Sequence, residues 1–384
     1  LADDMGWGDP RCYNPDSAAP TPHMDRLARE GRRFTDAHTA GAVCTPTRYG
    51  LLTGRYYWRL DLDVPGVNGY GAAIVDPDRP TLASVLKRQG YRTAAVGKWH
   101  LGMGTKTPAD YSKPLHPNPT DYGFDYYFGI PASLDMPPYL YIENDRAVQP
   151  PTEHIEGTPH GTAEFYRGGA IAPGFELDEV LPDLTRKAVS LVEEQATSGG
   201  EEPFFLYFAM NAPHTPWLPR EKAQGKSAAG KYGDYVWQVD DSIGAVADAL
   251  DAHGLSDDTL LIVASDNGGL QSWIPEQYDH RCNGPWRGQK GDAWEGGHRV
   301  PFIARWPGRI APGSVSDALL SLNDMLPTFA ALAGAELPAG AAPDGESVVD
   351  ALLGDGAGVD KLVAESVRGL LAVRRGDWKL INGL

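Results

Sequence analysis

Asp3 and Asp4 stand side by side near the start of the chain, and Asp266 and Asn267 directly follow the apolar run LLIVAS. Both pairs fall where a strand is expected to end, so three carboxylates and one amide oxygen would project into one crevice. Hard oxygen donors with no paired Cys or His suit Ca2+ or Mg2+ better than zinc. Either pair alone is also what caps a helix or closes a turn; together they favour a metal site. A second group is cationic and sits in loop contexts: Arg48 after Cys44, Lys98 and His100 in VGKWHLG, His214 in NAPHTPW, and Lys290 in WRGQKGDAWEGG. A lone Lys is usually a solvated charge and a lone His a satisfied polar group. VGKWHLG and APHTP each follow an expected strand, however, so their side chains also reach the strand-end crevice. With 34 basic and 51 acidic residues the net charge is -17, and a cationic pocket in such a chain is what binding a small tetrahedral anion requires.

Cys44 opens the stretch CTPTRYGLLTGRY. Thr, Pro and Thr mark a turn, and the segment from Arg48 to Tyr56 is expected to begin a helix. That would seat the thiol near a helix N-terminus, where unpaired N–H groups favour anions and lower a thiol's pKa. The three cysteines, Cys12, Cys44 and Cys282, cannot all pair with one another, so no disulfide framework is expected and at least one thiol is free or modified.

These residues need a scaffold, and its elements alternate. The short unbroken apolar runs RTAAVG, PFFLYFAM and TLLIVASDNGG read as buried parallel strands. Between them fall helices. TLASVLKRQG has Thr81 as N-cap and Gly90 as its stop; Tyr235, Val239, Ile243, Val246 and Leu250 recur on one helical face; LPDLTRKAVSLVEEQ and NDMLPTFAALAG complete the pattern. The alternation predicts an α/β fold, a large mostly parallel sheet sandwiched between helices, over residues 1–335. Residues 104–176, rich in Pro, Tyr, Gly and His with little periodicity, are expected to be loops that shape a pocket. Residues 336–384 are expected to begin a small C-terminal antiparallel unit, with GLLAVRRGDWKLI as its hairpin.

At 384 residues, 42% hydrophobic and 22% charged, the chain has the composition of a soluble globular protein. The acidity argues against nucleic acid or an anionic membrane as partner. No apolar run reaches the roughly 18 residues of a membrane span, and LADDMGWGD is no targeting signal. Leu1 and Ala2 read as the end of a strand whose earlier part is missing. A lost leader would make the protein periplasmic or secreted; otherwise it is cytoplasmic. Oligomeric state is not legible.

CTPTR fits the CxPxR pattern of the sulfatases and continues as the family-like GLLTGRY. ADDMGWGD, GKWHLG, APHTP, SDNGG and KGDAWEGGHRVPFIARWPG follow in the family's order, so the chain resembles a formylglycine-dependent, arylsulfatase-like sulfatase along nearly its whole length. The resemblance implies the alkaline-phosphatase-like fold and hydrolysis of a sulfate monoester to alcohol and free sulfate. It implies conversion of Cys44 to formylglycine by a maturation enzyme, the aldehyde hydrate supplying the nucleophile and a second hydroxyl that ejects sulfate. Asp3, Asp4, Cys44, Asp266 and Asn267 would hold the metal, calcium or else magnesium. Arg48 and His100 would orient and deprotonate the diol, Lys98, His214 and Lys290 would neutralise sulfuryl oxygens, and His214 or Asp266 would protonate the leaving oxygen.

Two other readings compete. Phosphonate or phosphate ester hydrolases of the same superfamily also carry CxPxR, but commonly place His after the metal-binding Asp, where this chain has Asn267. An unmodified Cys44 would instead leave a non-catalytic binder of sulfated ligands. Trp99, Trp217, Trp286 and Trp294 flank the candidate residues and either stack on substrate or pack. The expected substrate is small: a short or singly sulfated sugar, or an aryl sulfate. The strand before Asp3 and the sheet after WKLI are shorter than the family's pattern, which reads as truncation at both ends.

Overall fold

Apolar runs of four to seven residues bounded by polar or glycine punctuation are too short for helices and bury best by pairing. A computed structural model describes residues 1–62, 66–198 and 202–383. Its strands are β1 (Arg32–Phe34), β2 (Ala37–His38), β3 (Arg92–Lys98), β4 (Tyr126–Ile130), β5 (Ile142–Glu143), β6 (Arg146–Ala147), β7 (Glu153–Ile155) and β8 (Gly169–Ile171). Then come β9 (Phe204–Ala209), β10 (Leu261–Ala264), β11 (Phe302–Arg305), β12 (Ser314–Ser316), β13 (Leu320–Ser321), β14 (Lys361–Glu365), β15 (Leu371–Arg375) and β16 (Trp378–Ile381). Two ladders, β6-β5-β4-β3-β9 and β10-β11-β1-β12, form the centre.

Residues 1–3 join these ladders into one sheet. The Leu1 amine donates to the Phe208 carbonyl at 2.8 Å, and Met210 N–H donates to the Leu1 carbonyl at 2.9 Å. On the other side Ala2 N–H donates to Ala264 and Asp266 N–H to Ala2, at 2.8 and 3.1 Å. Both bridges are parallel. Following the pairings outward, β5 and β11 run against the other members of this sheet, which is otherwise parallel. The run at 259 is therefore parallel to residues 1–3 on one side and antiparallel to β11 on the other.

Helices cover both faces. On β10 and β11, Val263 and Ile303 point into a core with Met24, Leu27, Val236 and Val239, while Ala264, Phe302 and Ala304 point into a core with Leu52, Leu82 and Leu326. The two-residue alternation of a strand dictates this division. The first core is roofed by α1 (Pro22–Glu30) and α5 (Gly230–Ala252), the second by α2 (Cys44–Thr53), α3 (Leu82–Arg88) and α7 (Met325–Leu332), while α4 (Val180–Thr197) packs on α5. All five residues of the periodic stripe on α5 are buried. Thr81 caps α3 in a reciprocal box with Ser84. No helix among the described residues is long and apolar enough to cross a membrane.

Two expectations are corrected. Residues 104–176 hold β4 to β8: three of these strands extend the central sheet and two form a hairpin. At two to five residues each, they are too short for a period to register. The apolar runs at 203 and 259 are only half-buried, because Phe205 and Leu261 line a cavity of about 690 Å3 beside Leu1, Leu51 and Phe329.

β14, β15 and β16 form the antiparallel C-terminal unit, β15 turning into β16 through Gly376, at φ 55, and Asp377. Half-buried ion pairs and a buried histidine pair dock it. Arg374 forks onto Asp36 at 2.7 and 2.8 Å, and Lys379 reaches Glu295 at 2.8 Å and His298 Nε2 at 2.7 Å. His38 contacts His298 through their Nδ1 atoms at 3.0 Å and Asp36 through Nε2 at 2.8 Å; Arg299 pairs with Asp36 and Glu295.

Burial pulls both rings below the usual histidine value, with Arg299 acting the same way on His38, and His38 and Lys379 on His298. Below about pH 6.5 the unfolded chain therefore takes up protons that the folded chain refuses, and stability falls as pH falls. Asp36 and Glu295 are depressed carboxylates whose contribution is lost only in a lower, carboxylate window. Asp240 and Asp324, each raised to about 7 by burial, act in the opposite sense over the same range, so the rings are read by difference. Replacing both His38 and His298 by Gln is expected to shift the change in urea midpoint between pH 7.5 and pH 5.5 toward greater stability at pH 5.5; a change equal to the parent's would show that the two rings are not held neutral.

Candidate active site

The carboxyl ends of β3, β9, residues 1–3 and β10 converge on one point, and all but β10 leave the sheet through an unusual backbone. Gly97 sits at φ 122, where an added Cβ would lie 1.8 Å from the Ala209 carbonyl oxygen, so only glycine lets β3 approach β9 there. Asp4 and His100 adopt φ of 67 and 61, conformations that side chains rarely accept. His214 follows a cis Ala212-Pro213 bond. Cys44 is the first residue of α2, four residues earlier than the expected start, and is 4% exposed.

The structure brings all ten candidate residues together. Lys98 Nζ lies 2.9 and 2.7 Å from the two oxygens of Asp3, and Lys290 Nζ lies 2.7 Å from Asp4 Oδ2. Arg48 donates through Nε and Nη2 to Asp266 Oδ2 at 3.0 and 2.8 Å, and through Nη1 to the Lys98 carbonyl. Asn267 Nδ2 donates to Asp4 Oδ1 at 2.8 Å. Cys44 Sγ lies 3.4 Å from Asp3 Oδ1 and 3.9 Å from Asp4 Oδ1. His214 Nδ1 meets the Thr215 carbonyl at 2.6 Å, which places its proton there, and Nε2 stands 3.7 Å from Asp4.

Three buried carboxylates thus face three permanent cations. Burial works to raise Asp3, but Lys98, His214 and Arg48 overcome it and hold the carboxyl well below its ordinary value. Burial opposes the charge on Lys98 and Lys290, yet Asp3 and Asp4 respectively carry each amine above the usual lysine value. Burial pushes His100 well below the usual imidazole value, with Lys98 and Arg48 acting the same way. Cys44 is the correction. Burial, then Asp266, drive its thiol well above the ordinary value, so the helix N-terminus does not make it a thiolate.

Asp3, Asp4, Cys44 and His214 each offer a ligand atom, all within 4.8 Å of one another. This is a possible metal-binding cluster, and it differs from the expected set. His214 joins it, whereas Asp266 spends Oδ2 on Arg48 and Oδ1 on the Asp4 amide at 3.1 Å. Asn267 Oδ1 is buried without a partner, a deficit that a cation beside Asp4 would correct. The fit is good: hard oxygens dominate, and a divalent ion would tip a balanced cluster to net positive.

Sequence reasoning missed several supports. Asp9 accepts from the Gly6 amide and the Tyr232 hydroxyl, both at 2.7 Å, and meets His280 at 2.8 Å, fixing the loop after Asp4. Ser265 accepts from the Met5 amide and donates to the Asn267 carbonyl, and Thr45 donates to the His100 carbonyl. The signal available was adjacency to the motifs. The tryptophans pack: Trp99 lies among Tyr122, Phe124 and Tyr127, Trp217 against Tyr232, Trp286 under Arg299 and Trp294 under Arg287.

The Sulfatase family model matches residues 1–335. An N-acetylgalactosamine-6-O-sulfatase of Bacteroides thetaiotaomicron is 37% identical, the alignment covering 100% of this chain and 81% of that protein. Arylsulfatase A of Bos taurus is 37% identical over 99% of this chain and 73% of its own length. A solved structure described under the metabolism of multiple glycosaminoglycans by Bacteroides thetaiotaomicron superposes with a TM-score of 0.91 at 34% identity, covering 100% of this chain and 86% of that one. Likeness at this level extends past the motifs to the sheet that positions them, and it fixes the affiliation: the chain belongs to the sulfatase family, as a sulfuric ester hydrolase of the alkaline-phosphatase-like fold.

Proposed function

We propose that the ester cleaved is an O-sulfate on a sugar, first of all the 6-O-sulfate of an N-acetylhexosamine, and that Cys44 acts as formylglycine beside a calcium ion. One observation carries this reading: Cys44 Sγ lies 3.4 Å from Asp3, whose oxygens are paired with Lys98, inside a water-poor cluster of fixed charges. The full-length likeness to the N-acetylgalactosamine-6-O-sulfatase supports a sugar. Calcium tolerates an irregular oxygen shell that magnesium does not.

Asp3, Asp4 and Asn267 would hold the ion, with Asp266 at its edge and His214 beside it as an acid and not as a ligand, and the ion would supply positive charge to a sulfuryl oxygen. Formylglycine would supply, as its hydrate, one oxygen to attack sulfur and a second hydroxyl whose ionisation expels sulfate. Cys44 is too buried for a maturation enzyme to reach in the folded chain, so conversion would precede folding.

The remaining roles follow from atoms on hand. Lys98 and Lys290 would share their N–H donors between the carboxylates and an incoming sulfate, stabilising charge as it grows. His100 is kept neutral by burial, and its Nδ1 has no protein partner, so it would take a proton from a hydroxyl at position 44. Arg48 holds Asp266 and the Lys98 carbonyl in place. For the leaving oxygen His214 is the better acid: with Nδ1–H spent on Thr215, a second proton on Nε2 would face the cluster, whereas both Asp266 oxygens are engaged.

The reading is tested by release of free sulfate from a panel of sulfated sugars and aryl sulfates, with phosphate and phosphonate esters as controls; preference for a phosphorus ester would sink it. The tryptic peptide ending at Arg48 should be about 18 Da lighter than its thiol form and react with an aldehyde probe. An intact thiol in fully active protein would exclude the modification. Cys44→Ser should keep its fold while turnover drops at least about 1000-fold, because serine has no second hydroxyl to expel sulfate; undiminished multiple turnover would remove that role. Asp266→Ala should lose calcium binding and activity together, since it frees Arg48 and the Asp4 loop. Calcium titration that matches the parent would contradict this.

A further inference from the structure

His38 and His298 lie outside the charge cluster, both fully buried, and their Nδ1 atoms meet at 3.0 Å. A contact of that length between two ring nitrogens holds one proton, so one ring donates and the other accepts. The surroundings decide which. Lys379 has donors only and sits 2.7 Å from His298 Nε2, so that nitrogen accepts and the proton of His298 is on Nδ1, donating to His38. His38 then carries its own proton on Nε2 and donates it to Asp36 Oδ1 at 2.8 Å, the oxygen that Arg374 and Arg299 also hold, each at 2.7 Å. Arg374 stands 3.3 Å from His38 Nε2, and Glu295 stands 3.8 Å from His298 Nε2 and 4.0 Å from His38 Nε2. One directed chain results, Lys379 to His298 to His38 to Asp36, complete only while both rings are neutral.

An added proton has no place in it. On His38 Nδ1 it would meet the His298 N–H, and on His298 Nε2 the Lys379 ammonium, and its charge would enter a pocket where Arg299, Arg374 and Lys379 already outnumber Asp36 and Glu295. Lys379 and Arg374 belong to the C-terminal unit and the other residues to the body that carries the charge cluster, so the chain is a seam between the two. What the seam holds lies close to the chemistry. Thr39, next to His38, donates its amide to the His298 carbonyl at 2.8 Å. The Glu365 amide donates to Ala40 and the Ala42 amide to Glu365, at 2.9 and 2.7 Å; the Gly291 amide donates to Ala42 at 2.8 Å and the Val367 amide to Gly291 at 2.9 Å. Cys44 and Lys290 thus adjoin a backbone ladder whose other side is the unit that the two rings clamp.

We propose that Lys379, His298, His38 and Asp36 are positioning residues for sulfate-ester cleavage: with both rings neutral they clamp the C-terminal unit so that Cys44 and Lys290 stay in register, and a proton on either ring releases it. This rests on Cys44 and Lys290 as parts of the site, and not on which ester is cleaved. Burial and the neighbouring cations, which hold both rings below the usual histidine value, put the release in the acid range. Misplacing reacting groups by one ångström costs up to about 100-fold in rate, so release is read in kcat.

Two variants should move the acid limb of kcat in opposite directions. Lys379→Met removes the ammonium that opposes a proton on His298 and should move the limb toward higher pH by at least about 0.5. His38→Gln combined with His298→Gln leaves no ring to protonate and should move it toward lower pH. Sulfate release is followed on N-acetylgalactosamine 6-sulfate and on 4-nitrophenyl sulfate, and the shift should be the same on both, because it belongs to the protein. His100 and His214 are intact in all three proteins, so the difference between them reports the seam. Limbs that coincide, or that move in the same direction, would overturn the proposal. A second measurement needs neither substitution nor turnover. Hydrogen exchange of the parent, corrected for its intrinsic pH dependence, should lose at least about tenfold protection at residues 361–381 and 40–42 between pH 7.5 and pH 4.5, while residues 92–98 of β3 keep theirs. Unchanged protection of the C-terminal unit would overturn the proposal as well. A parent that releases sulfate from neither compound would count against the substrate reading alone, and the exchange result would then decide.

Discussion

Everything in this structure depends on keeping six opposite charges out of water at one point. Removing an ion from water costs several kcal/mol even after relaxation, and a buried pair repays this only if geometry is close and remaining donors are met. Here the pairing is nearly complete: Lys98 with Asp3, Lys290 with Asp4, and Arg48 with Asp266. Losing one member would strand its partner at about 3–5 kcal/mol. The same exclusion of water that makes the cluster costly makes its fields strong, which is what cleavage of an S–O bond needs from fixed groups.

Close pairing demands close strands, and the backbone shows how this is met. Residues 1–3 lie between β9 and β10 and carry Asp3 and Asp4 into the middle of the parallel region, where Lys98 arrives from β3 and Asp266 from β10. Positive φ at Asp4 and His100 turns the chain immediately after each strand, so that their side chains face inward instead of continuing along the sheet. Such conformations cost of order 1–3 kcal/mol each and persist where surroundings over-determine them. Asp9, Ser265 and Thr45 are those surroundings, each holding a loop backbone through a buried hydrogen bond.

How much of this was legible in the sequence depended on the length of the signal. An apolar run of four or more residues ending in Asp or Lys announces both a strand and the residue at its end, so Lys98, Asp266 and Asn267 could be placed in one crevice before any coordinates, and Asp3 and Asp4 joined them because Leu1 and Ala2 read as a strand's end. The sign of the Cys44 shift was not legible. A helix N-terminus can be read from Thr-Pro-Thr, but the burial and the Asp266 carboxylate that outweigh it arrive from more than two hundred residues away. His214 could be placed in the crevice from the strand before APHTP, but its approach to Asp4 as a possible ligand was not legible, since that depends on how a loop folds back. Strands β4 to β8 gave no signal, because runs of two to five residues among prolines and glycines have no period to read.

The C-terminal unit shows why such distant contacts matter. The Glu365 backbone pairs with residues 40 and 42, directly ahead of Cys44, through bonds of 2.9 and 2.7 Å, and the Val367 amide donates at 2.9 Å to Gly291, the neighbour of Lys290. One strand end of this unit therefore grips the chain next to the nucleophile position and next to one of the cations. Its opposite face is held by Arg374 on Asp36 and Lys379 on Glu295, and Glu295 lies only five residues beyond Lys290. Movement of that small sheet would shift Cys44 and Lys290 together, and in a cluster bound by contacts of 2.7 to 3.4 Å a displacement of one ångström separates charges that have no water to replace their partners. The antiparallel unit is thus part of the active site's geometry, although none of its side chains belongs to the charge cluster.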